Sequence, residues 1–154
     1  MTISDILTRN SIMPILKSVS KKQVFSDLSV HLQTLTGIPA PEICEALMHR
    51  ERLGSTGIGN GIAIPHAKFN TLQGLVGLFV RLEKPVEFDA LDDAPVDLIF
   101  VLLAPEGAGA DHLKGLARIA RVLRDANRIK RLRGTQDGDL MFDILCEETL
   151  LKAA

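Results

Sequence analysis

The sequence is poor in aromatic residues and carries almost no net charge. Its 154 residues include no Trp and no Tyr, so the six Phe are the only aromatic side chains. Eighteen Lys and Arg face nineteen Asp and Glu, with both signs interspersed along the chain, and the formal net charge at pH 7 is -1. A nucleic-acid-binding domain usually needs a basic stripe, and single-strand binders also need aromatic stacking platforms. We therefore expect no DNA or RNA partner.

Long apolar runs are absent as well. A membrane-spanning helix needs about 18 or more consecutive apolar residues, and the longest apolar run here, around residues 98–105, is far shorter. The first residues of the chain have neither the basic start nor the apolar core of a secretory signal peptide. These absences predict a cytoplasmic protein that does not insert into a membrane.

Cysteine is scarce, with Cys44 and Cys146 as the only two. Each lies inside an apolar pattern of helical spacing, they are far apart in the sequence, and neither belongs to a Cys-x-x-Cys motif. We expect reduced thiols in the core rather than a disulfide framework or a catalytic nucleophile.

The apolar residues that are present recur at spacings typical of both helices and strands. Ser20 can cap a helix that Gly37 ends, and Pro41 can open a second helix that continues to Arg52. The predicted helices span residues 21–36, 41–52, 111–123, 126–132 and 137–151, and the predicted strands span residues 62–64, 75–82 and 96–104.

Helices on both sides of apolar strands predict a single three-layer α/β domain over residues 1–154, with a central mixed β-sheet flanked by helices. The sheet is expected to be mixed because residues 83–95 can form a hairpin-like connection between the two long strands. The third predicted helix is expected to bury one apolar face, formed by Leu113, Leu116, Ile119, Ala120 and Leu123.

Four glycines lie among the eight residues 54–61. Glycine-rich backbone can approach a ligand closely and turn successive N–H groups inward as an anion-binding nest. We predict that Arg52, Ser55, Thr56 and the amide of Gly57 hold the oxygens of a phosphoryl group here. The segment contains neither a Gly-x-x-x-x-Gly-Lys-Ser/Thr motif nor a dinucleotide fingerprint. A flexible loop, with Arg52 as a solvated cation at a helix end, is the alternative interpretation.

The glycine-rich segment leads to Pro65 and His66. Pro65 fixes its own φ and favours an extended conformation in the residue before it, so it directs His66 along a defined path. A neutral imidazole is nucleophilic near neutral pH and can take up and release a phosphoryl group. We predict that His66 is the chemical centre of the protein; a structural histidine bonded to a neighbouring carbonyl is the alternative.

His112 is the second candidate among the four histidines. With Asp111 it stands at the predicted start of a helix that follows a buried strand, where α/β proteins bind ligands and where the helix dipole attracts anions. From these residues alone, a histidine that caps a surface helix is an equally good interpretation. His31 and His49 lie inside predicted helices without a glycine loop nearby, so we expect half-buried structural roles for both.

Two other classes of function stay open from these residues. A metal-dependent hydrolase would use His66, His112 and Asp111, although the chain has no compact ligand motif such as His-x-His or His-Glu-x-x-His. A non-enzymatic binding module, in which the glycine loop holds an anion without chemistry, is the other alternative.

Residues 53–66 read Leu-Gly-Ser-Thr-Gly-Ile-Gly-Asn-Gly-Ile-Ala-Ile-Pro-His. This motif resembles the IIA domains of the bacterial phosphoenolpyruvate-dependent phosphotransferase system (PTS), in the fructose, mannitol and nitrogen-regulatory class. The similarity extends over nearly the whole chain, including residues 88–100 and 111–120. The chain length and the Ile-Leu-Thr and Ser-Lys-Lys segments near the start resemble the nitrogen-regulatory members most.

The resemblance implies a site as well as a fold, a mixed sheet flanked by helices. It implies phosphorylation of His66 on Nε2, with His112 beside it supporting the phosphoryl group and Arg52 near the site. It implies no metal and no cofactor.

The resemblance also implies partners. The phosphoryl donor would be the small histidine-phosphorylated carrier protein HPr or its nitrogen-branch relative, NPr, docked on an apolar surface around the His66 loop. The output would be regulation of protein targets through the phosphorylation state. A IIA component that passes the phosphoryl group to the IIB domain of a fructose- or mannitol-type sugar permease is the alternative.

Overall fold

The computed structural model describes residues 1–147, which form six β-strands and five α-helices. Short 3-10 helices at Ile3–Asp5 and Arg9–Ser11 precede the first strand. The strands are β1 (Ile12–Leu16), β2 (Gly57–Gly59), β3 (Ile62–Ala63), β4 (His66–Phe69), β5 (Val76–Val86) and β6 (Val96–Pro105). The helices are α1 (Lys21–Thr36), α2 (Ala40–Arg52), α3 (Ala110–Leu123), α4 (Ala126–Arg133) and α5 (Gly138–Cys146). No helix in this described part combines the length and the apolar character needed to cross a membrane.

Local capping explains where the first two helices begin and end. The Ser20 side chain accepts a hydrogen bond from the N–H of Gln23 at the start of α1, and Gly37, with a φ of 79°, ends that helix in the left-handed conformation. Helix α2 has Pro41 in its first turn and basic residues in its last turn, where they interact favourably with the helix dipole. Both helices are confirmed, although α2 begins one residue early, at Ala40.

The strands form one mixed sheet in the order β1-β5-β6-β3-β2, and β4 pairs with β6 as well. β1 is parallel to β5, whereas β3 and β4 are both parallel to β6. β5 and β6 are antiparallel, and their pairing extends to Val86 opposite Val96 at the turn between them. The mixed sheet and the hairpin-like connection are therefore confirmed.

Strand β6 is buried on both faces, so the sheet separates two hydrophobic cores. Ile99 and Val101 contribute to the core that the sheet forms with α1 and α2. Leu98 and Phe100 point the other way, into the core formed with α3, α4, α5 and the N-terminal residues. The predicted three-layer α/β architecture is confirmed.

Three strands, β1, β2 and β4, are absent from the sequence-based prediction, and β5 continues beyond the predicted end at residue 82 to Val86. Pro14 argues against a strand because it has no N–H to donate, but β1 lies at the edge of the sheet, where proline is tolerated. β2 and β4 are only three and four residues long, too short for a clear apolar alternation.

Two details of the predicted helices need correction. Leu113 is 69% exposed, so it does not belong to the inner face of α3. The buried positions of that helix are His112, Gly115, Ile119, Val122 and Leu123. The last helix ends at Cys146 rather than residue 151, and residues 148–154 lie outside the described part of the chain.

The two cysteines are free and half-buried, as the sequence predicts. Cys44 packs against the core under α1 and α2, whereas Cys146 packs against the core on the opposite face of the sheet. Burial raises the pKa of the Cys146 thiol, which keeps it in the unreactive protonated form.

Candidate functional site

The fold brings His66 and His112 into one cleft. β4 begins at His66, which pairs with Leu102 of β6, and the N–H of Leu102 donates to the carbonyl of Pro65 at 3.0 Å. β6 then leads into α3, whose first turn contains His112. The two imidazole rings lie 5.6 Å apart between centroids, with their planes at 65°. The cleft has a volume of about 750 Å³ and is bounded on its other side by residues along α2, from Glu42 to Arg52.

The backbone fixes the tautomer of His66. Its Nδ1 lies 2.9 Å from the carbonyl oxygen of Ile64. A carbonyl can only accept a hydrogen bond, so Nδ1 carries the proton and donates it. In the neutral ring, Nε2 then carries the lone pair and is the nucleophilic nitrogen.

The surroundings of His66 favour its neutral form. Burial is the largest influence and lowers the pKa of the imidazole below its ordinary value, and the positive charge of Arg50 lowers it further. The bond to Ile64 and the negative charge of Glu51 act in the opposite direction but do not cancel the shift. His66 is therefore a neutral nucleophile near neutral pH.

His112 is more deeply enclosed than its position at a helix start suggests. It is only 7% exposed, and its buried Nε2 has no hydrogen-bond partner within residues 1–147. Burial lowers the pKa of His112, and the charges of His66 and Lys68 lower it further. A buried polar atom without a partner is costly unless a bound group satisfies it. This atom is the feature that separates His112 from a surface capping histidine.

Two arginines at the end of α2 line the cleft, and they are not equivalent. Arg52, the predicted residue, is exposed. Arg50, which the sequence analysis overlooks, is half-buried; its Nη1 donates to the carbonyl of Gly54 at 2.8 Å, and its charge lowers the pKa of His66. The loop that turns back at Gly54 thus fixes Arg50 rather than Arg52, and this tertiary contact leaves no signal in the helical pattern.

Two further residues, Lys68 and His49, line the cleft. Lys68 lies two residues after His66 in β4, so strand alternation puts both on the same face, and this signal is readable in the sequence. His49 is exposed and lines the cleft, so the half-buried structural role expected for it is wrong. His31 is half-buried and its Nε2 donates to the carbonyl of Asn10 at 2.7 Å, which confirms its structural role.

Ser55, Thr56 and Gly57 do not line the cleft. The hydroxyl of Thr56 donates to Glu51 Oε1 at 2.6 Å, and the N–H of Thr56 also donates to that carboxylate. The hydroxyl of Ser55 donates to the Phe88 carbonyl at 3.0 Å and accepts from the N–H of Gly57 at 3.0 Å. These donors hold the loop together, so the structure does not place them where a group bound at His66 would need them.

Glu51 is the residue that organises this loop. Its carboxylate is buried and pairs with Lys21 Nζ at 2.8 Å, which ties α1 and α2 to the loop through Thr56. A carboxylate in the last turn of a helix opposes the helix dipole, which is unfavourable without specific partners. Its presence between Arg50 and Arg52 is the sequence signal for such a network.

The glycine-rich segment forms a β-hairpin rather than an anion nest. β2 and β3 pair antiparallel, with Asn60 and Gly61 as the two-residue connection. Both have positive φ, 57° and 80°, as in the Asn-Gly turns that join two strands. The structure does not show the predicted nest, because the N–H groups of Thr56, Gly57 and Asn60 already donate to the side chains of Glu51, Ser55 and Asp92.

The geometry does not support a metal-dependent hydrolase. Within residues 1–147, no three His, Cys, Asp or Glu side chains are grouped to hold a metal ion. Asp111, the proposed third ligand, is exposed and lines a different, smaller recess beside residues 73–75. A zinc hydrolase site needs three protein ligands.

A comparison with protein families matches residues 5–148 to the family described as "Phosphoenolpyruvate-dependent sugar phosphotransferase system, EIIA 2". The chain belongs to this EIIA family. The match spans most of the sequence, including the glycine-rich hairpin, His66 and His112.

Relatives of this EIIA chain carry nitrogen-regulatory names. It is 48% identical over 145 residues to the "Nitrogen regulatory protein" of Bradyrhizobium diazoefficiens, which covers 94% of the chain and 95% of that protein. It is 40% identical to the protein of the same name in Escherichia coli, over 94% of this chain and 90% of that one. A crystal structure of nitrogen regulatory protein IIA-Ntr from Neisseria meningitidis superimposes with a TM-score of 0.88 at 35% identity, covering 93% and 98% of the two chains.

The family and these relatives confirm three predictions made from the sequence. They confirm the PTS IIA resemblance, the mixed sheet flanked by helices, and the assignment of this EIIA chain to the nitrogen-regulatory branch of phosphocarriers. EIIA chains are phosphotransferase components, and the roles of individual side chains rest on the geometry described above.

Proposed function

We propose that this EIIA domain accepts a phosphoryl group on Nε2 of His66 and regulates protein partners according to its phosphorylation state. The observation that carries the proposal is the 2.9 Å bond from Nδ1 to the Ile64 carbonyl, which leaves Nε2 as the nucleophilic nitrogen of a cleft-lining imidazole. The lowered pKa supports it because the ring is neutral when the donor arrives.

The transfer forms one bond to phosphorus and breaks another. The Nε2 lone pair of His66 attacks phosphorus, and the bond between phosphorus and the donor imidazole breaks, returning its electron pair to the donor. Positive charge develops on the His66 ring, and the Ile64 carbonyl stabilises it through the proton on Nδ1. The proton stays on Nδ1 in this bond, and the positive charge of the ring is balanced by the negative phosphoryl oxygens.

Phosphoryl transfer depends mainly on positioning and on neutralising the oxygens. We propose that Arg50 and Lys68 bind the oxygens of the phosphoryl group. The buried Nε2 of His112, when it carries the proton of that ring, donates a hydrogen bond to one of these oxygens. Arg52, which also lines the cleft, supplies a solvent-exposed positive charge. Ser55, Thr56 and Gly57 act indirectly, by fixing the loop between α2 and His66.

The donor is a small histidine-phosphorylated carrier, HPr or its nitrogen-branch relative NPr. Two large apolar side chains support docking beside the cleft: Leu53, which lines it and is 74% exposed, and Leu113, which follows His112 and is 69% exposed. Exposed leucines of this kind mark protein-binding surfaces when they adjoin a reactive group.

The direct test is phosphoryl transfer from phosphoenolpyruvate through the two general upstream PTS proteins, followed by intact-mass measurement. The wild-type chain gains one phosphoryl group, and His66→Ala gains none. His49→Ala is the matched control, because His49 is an exposed cleft histidine without a fixed tautomer. Equal labelling of the His66→Ala protein would sink the proposal.

The IIA component of a sugar permease is the second candidate, because the family description names a sugar system. The two functions differ in whether a IIB domain accepts the phosphoryl group from this chain. Mixing the phosphorylated chain with a purified fructose- or mannitol-type IIB domain leaves the phosphoryl group on His66 if the protein is a regulator. Rapid transfer to IIB would establish the permease role instead.

A further inference from the structure

A second cleft lies between the β2–β3 hairpin and helices α3 and α4, with a volume of about 870 Å³. Its floor is apolar and largely buried, formed by Ile62, Leu123 and Ile129. We call this cleft, together with its basic rim, the basic groove. The rim carries Arg124, Lys130 and Arg133, and no carboxylate of the described residues lines it.

The basic residues of the chain are concentrated in the segment that forms most of α3 and α4. Residues 114–133 hold eight Lys and Arg against one acidic residue, Asp125, whereas the other 134 residues hold ten basic and eighteen acidic residues. Both α3 and α4 pack on the same face of the sheet. Three of the eight, Arg124, Lys130 and Arg133, line the groove, so the net charge of -1 conceals a local excess of positive charge, and the expectation of interspersed charges is wrong there.

The rim cations differ in how far they are already used. Arg133 pairs with Asp97 through two hydrogen bonds, of 2.9 and 2.8 Å, and donates to the carbonyl of Asn60 at 2.6 Å. Arg124 and Lys130 are exposed and form no ion pair with any residue from 1 to 147. These two side chains are available to a negatively charged partner.

We propose that the basic groove docks an acidic amphipathic helix of a protein partner. The apolar floor is recessed, so an occupant must insert apolar side chains from a narrow stripe, as a helix laid in a groove does. Carboxylates flanking that stripe meet Arg124 and Lys130, which gives the charge complementarity.

Two other classes of occupant fit less well. A membrane surface is bound by apolar side chains that protrude, whereas around this groove only Ile58 is both large and exposed. Single-stranded nucleic acid needs aromatic rings on which bases stack, and no aromatic side chain of the described residues lines the groove.

The groove and the His66 cleft share no lining residue. The groove residue Ile62, on β3, pairs with Leu98 of β6, whereas His66, on β4, pairs with Leu102 of the same strand. Four residues of strand separate these pairs by about 13 Å. An occupant of the groove therefore leaves the histidine cleft open, and binding there does not require phosphorylation.

The test uses a synthetic fluorescent peptide with Leu at helical positions i, i+3, i+4 and i+7 and Glu on the flanks, titrated into the unphosphorylated full chain. Anisotropy gives the affinity, and amide NMR shifts locate the site. We expect shifts at the groove and affinity about tenfold or more weaker for the double variant Arg124→Glu/Lys130→Glu. The matched control Lys22→Glu/Lys84→Glu makes the same change in charge at exposed positions elsewhere and stays within about twofold of wild type.

Phosphoryl transfer to His66 serves as the check on folding, because the double variant keeps every residue of the His66 cleft. A second variant, Ile58→Ser, tests the apolar contact without changing charge and is expected to weaken the peptide severalfold.

Four results would overturn the proposal. They are equal binding by the double variant, equal binding of a peptide whose stripe is scrambled, shifts centred on the His66 cleft, and preferential binding of anionic vesicles or an RNA oligonucleotide. Concentration-dependent self-association of the chain that the double variant abolishes would reassign the groove to a second copy. A failure of His66 to accept a phosphoryl group would leave each of these outcomes unchanged.

Discussion

The backbone carbonyl of Ile64 is the hydrogen-bond partner of His66, the proposed phosphoryl acceptor. It holds the proton on Nδ1 and orients the ring, while burial keeps the imidazole neutral. The neighbouring His112 is kept neutral in the same way and has a buried Nε2 without a partner. Two adjacent imidazoles that both lose positive charge on folding are a costly arrangement, which argues for a role in binding rather than in stability.

At the residue scale, the first prediction separates the two arginines. Arg50→Ala is expected to slow phosphoryl acceptance by roughly 10- to 100-fold, because it removes a fixed cation from the transition state, whereas Arg52→Ala changes it by less than about threefold. NMR titration provides a second readout. Loss of Arg50 raises the pKa of His66, because the positive charge that lowers it is gone. Equal effects of both substitutions would contradict this assignment.

The second prediction concerns pH. His66 and His112 have pKa values below the ordinary value in the folded chain, so below about pH 6.5 the unfolded state binds more protons than the native state. The free energy of unfolding is therefore complete above that pH and falls as the pH drops towards the lowered pKa values. Each histidine contributes at most about 1.4 kcal/mol per pH unit.

Urea denaturation between about pH 7.5 and pH 5 measures this slope. The double variant His66→Gln/His112→Gln is expected to flatten it, while His49→Gln leaves it unchanged. A slope that survives in the double variant would assign the acid sensitivity to other groups.

At the scale of the element, the glycine-rich motif forms the β2–β3 hairpin, which leads to β4, the strand that begins at His66. Gly61 has a φ of 80°, and a Cβ there would lie 2.5 Å from Arg133 Nη2 and 2.8 Å from Asp97 Oδ1. The motif therefore meets a demand of backbone conformation and close packing. Its glycines position His66 without contacting the cleft themselves.

Gly61→Ala is accordingly expected to lower the free energy of unfolding by about 1–3 kcal/mol, because it combines an unfavourable φ with a steric clash. Gly74→Ala is the control, since nothing lies within 4 Å of a Cβ at that exposed position and its φ is outside the left-handed region. Thermal or urea unfolding of the two variants makes the comparison, and equal stabilities would refute the packing argument.

The elements divide into those that local sequence determines and those that pairing determines. Helices α1 and α2 follow from caps at Ser20 and Gly37 and from Pro41, which act within a few residues. β4 has no local signal of its own and exists because its four residues pair with β6. The Asn60-Gly61 pair was a readable hairpin signal, but its glycines also suit an anion nest, and only the pairing of β2 with β3 decides between the two.

The same division applies to the candidate site. Pro65 and His66 stand out in the sequence because the motif is contiguous, and the structure puts His112 beside His66 because β6 leads directly into α3. Arg50 and Glu51 did not stand out, since their importance comes from contacts with Gly54, Thr56 and Lys21 that no periodicity encodes.

At the scale of the whole molecule, one sheet supports two cores that do not touch each other. The His66 cleft lies towards the C-terminal end of β6 and the basic groove towards its N-terminal end, so both depend on the same strand. Contacts on one face are separated from those on the other by the thickness of the sheet.

The losses of unfolding free energy caused by side-chain truncations on opposite faces of the sheet should therefore be additive. Ile43→Val under α2 and Ile119→Val under α3 are each expected to cost about 0.5–1.5 kcal/mol, and the double variant should match their sum within about 0.5 kcal/mol. Phe79→Leu and Phe100→Leu, whose rings are 6.3 Å apart in one core, should deviate from additivity by more than that. Urea unfolding of the single and double variants of both pairs tests this expectation. Equal deviations from additivity in the two pairs would mean that the two cores are energetically coupled.

The excess of basic residues between positions 114 and 133 makes the charge of the molecule uneven, with the positive charge concentrated on α3 and α4. In the field of an acidic protein the molecule would rotate so that α3 and α4 lead, before any contact forms. Its chromatographic behaviour would follow this orientation rather than the net charge of -1: at low ionic strength and neutral pH, a cation-exchange resin would retain a protein that carries a net negative charge.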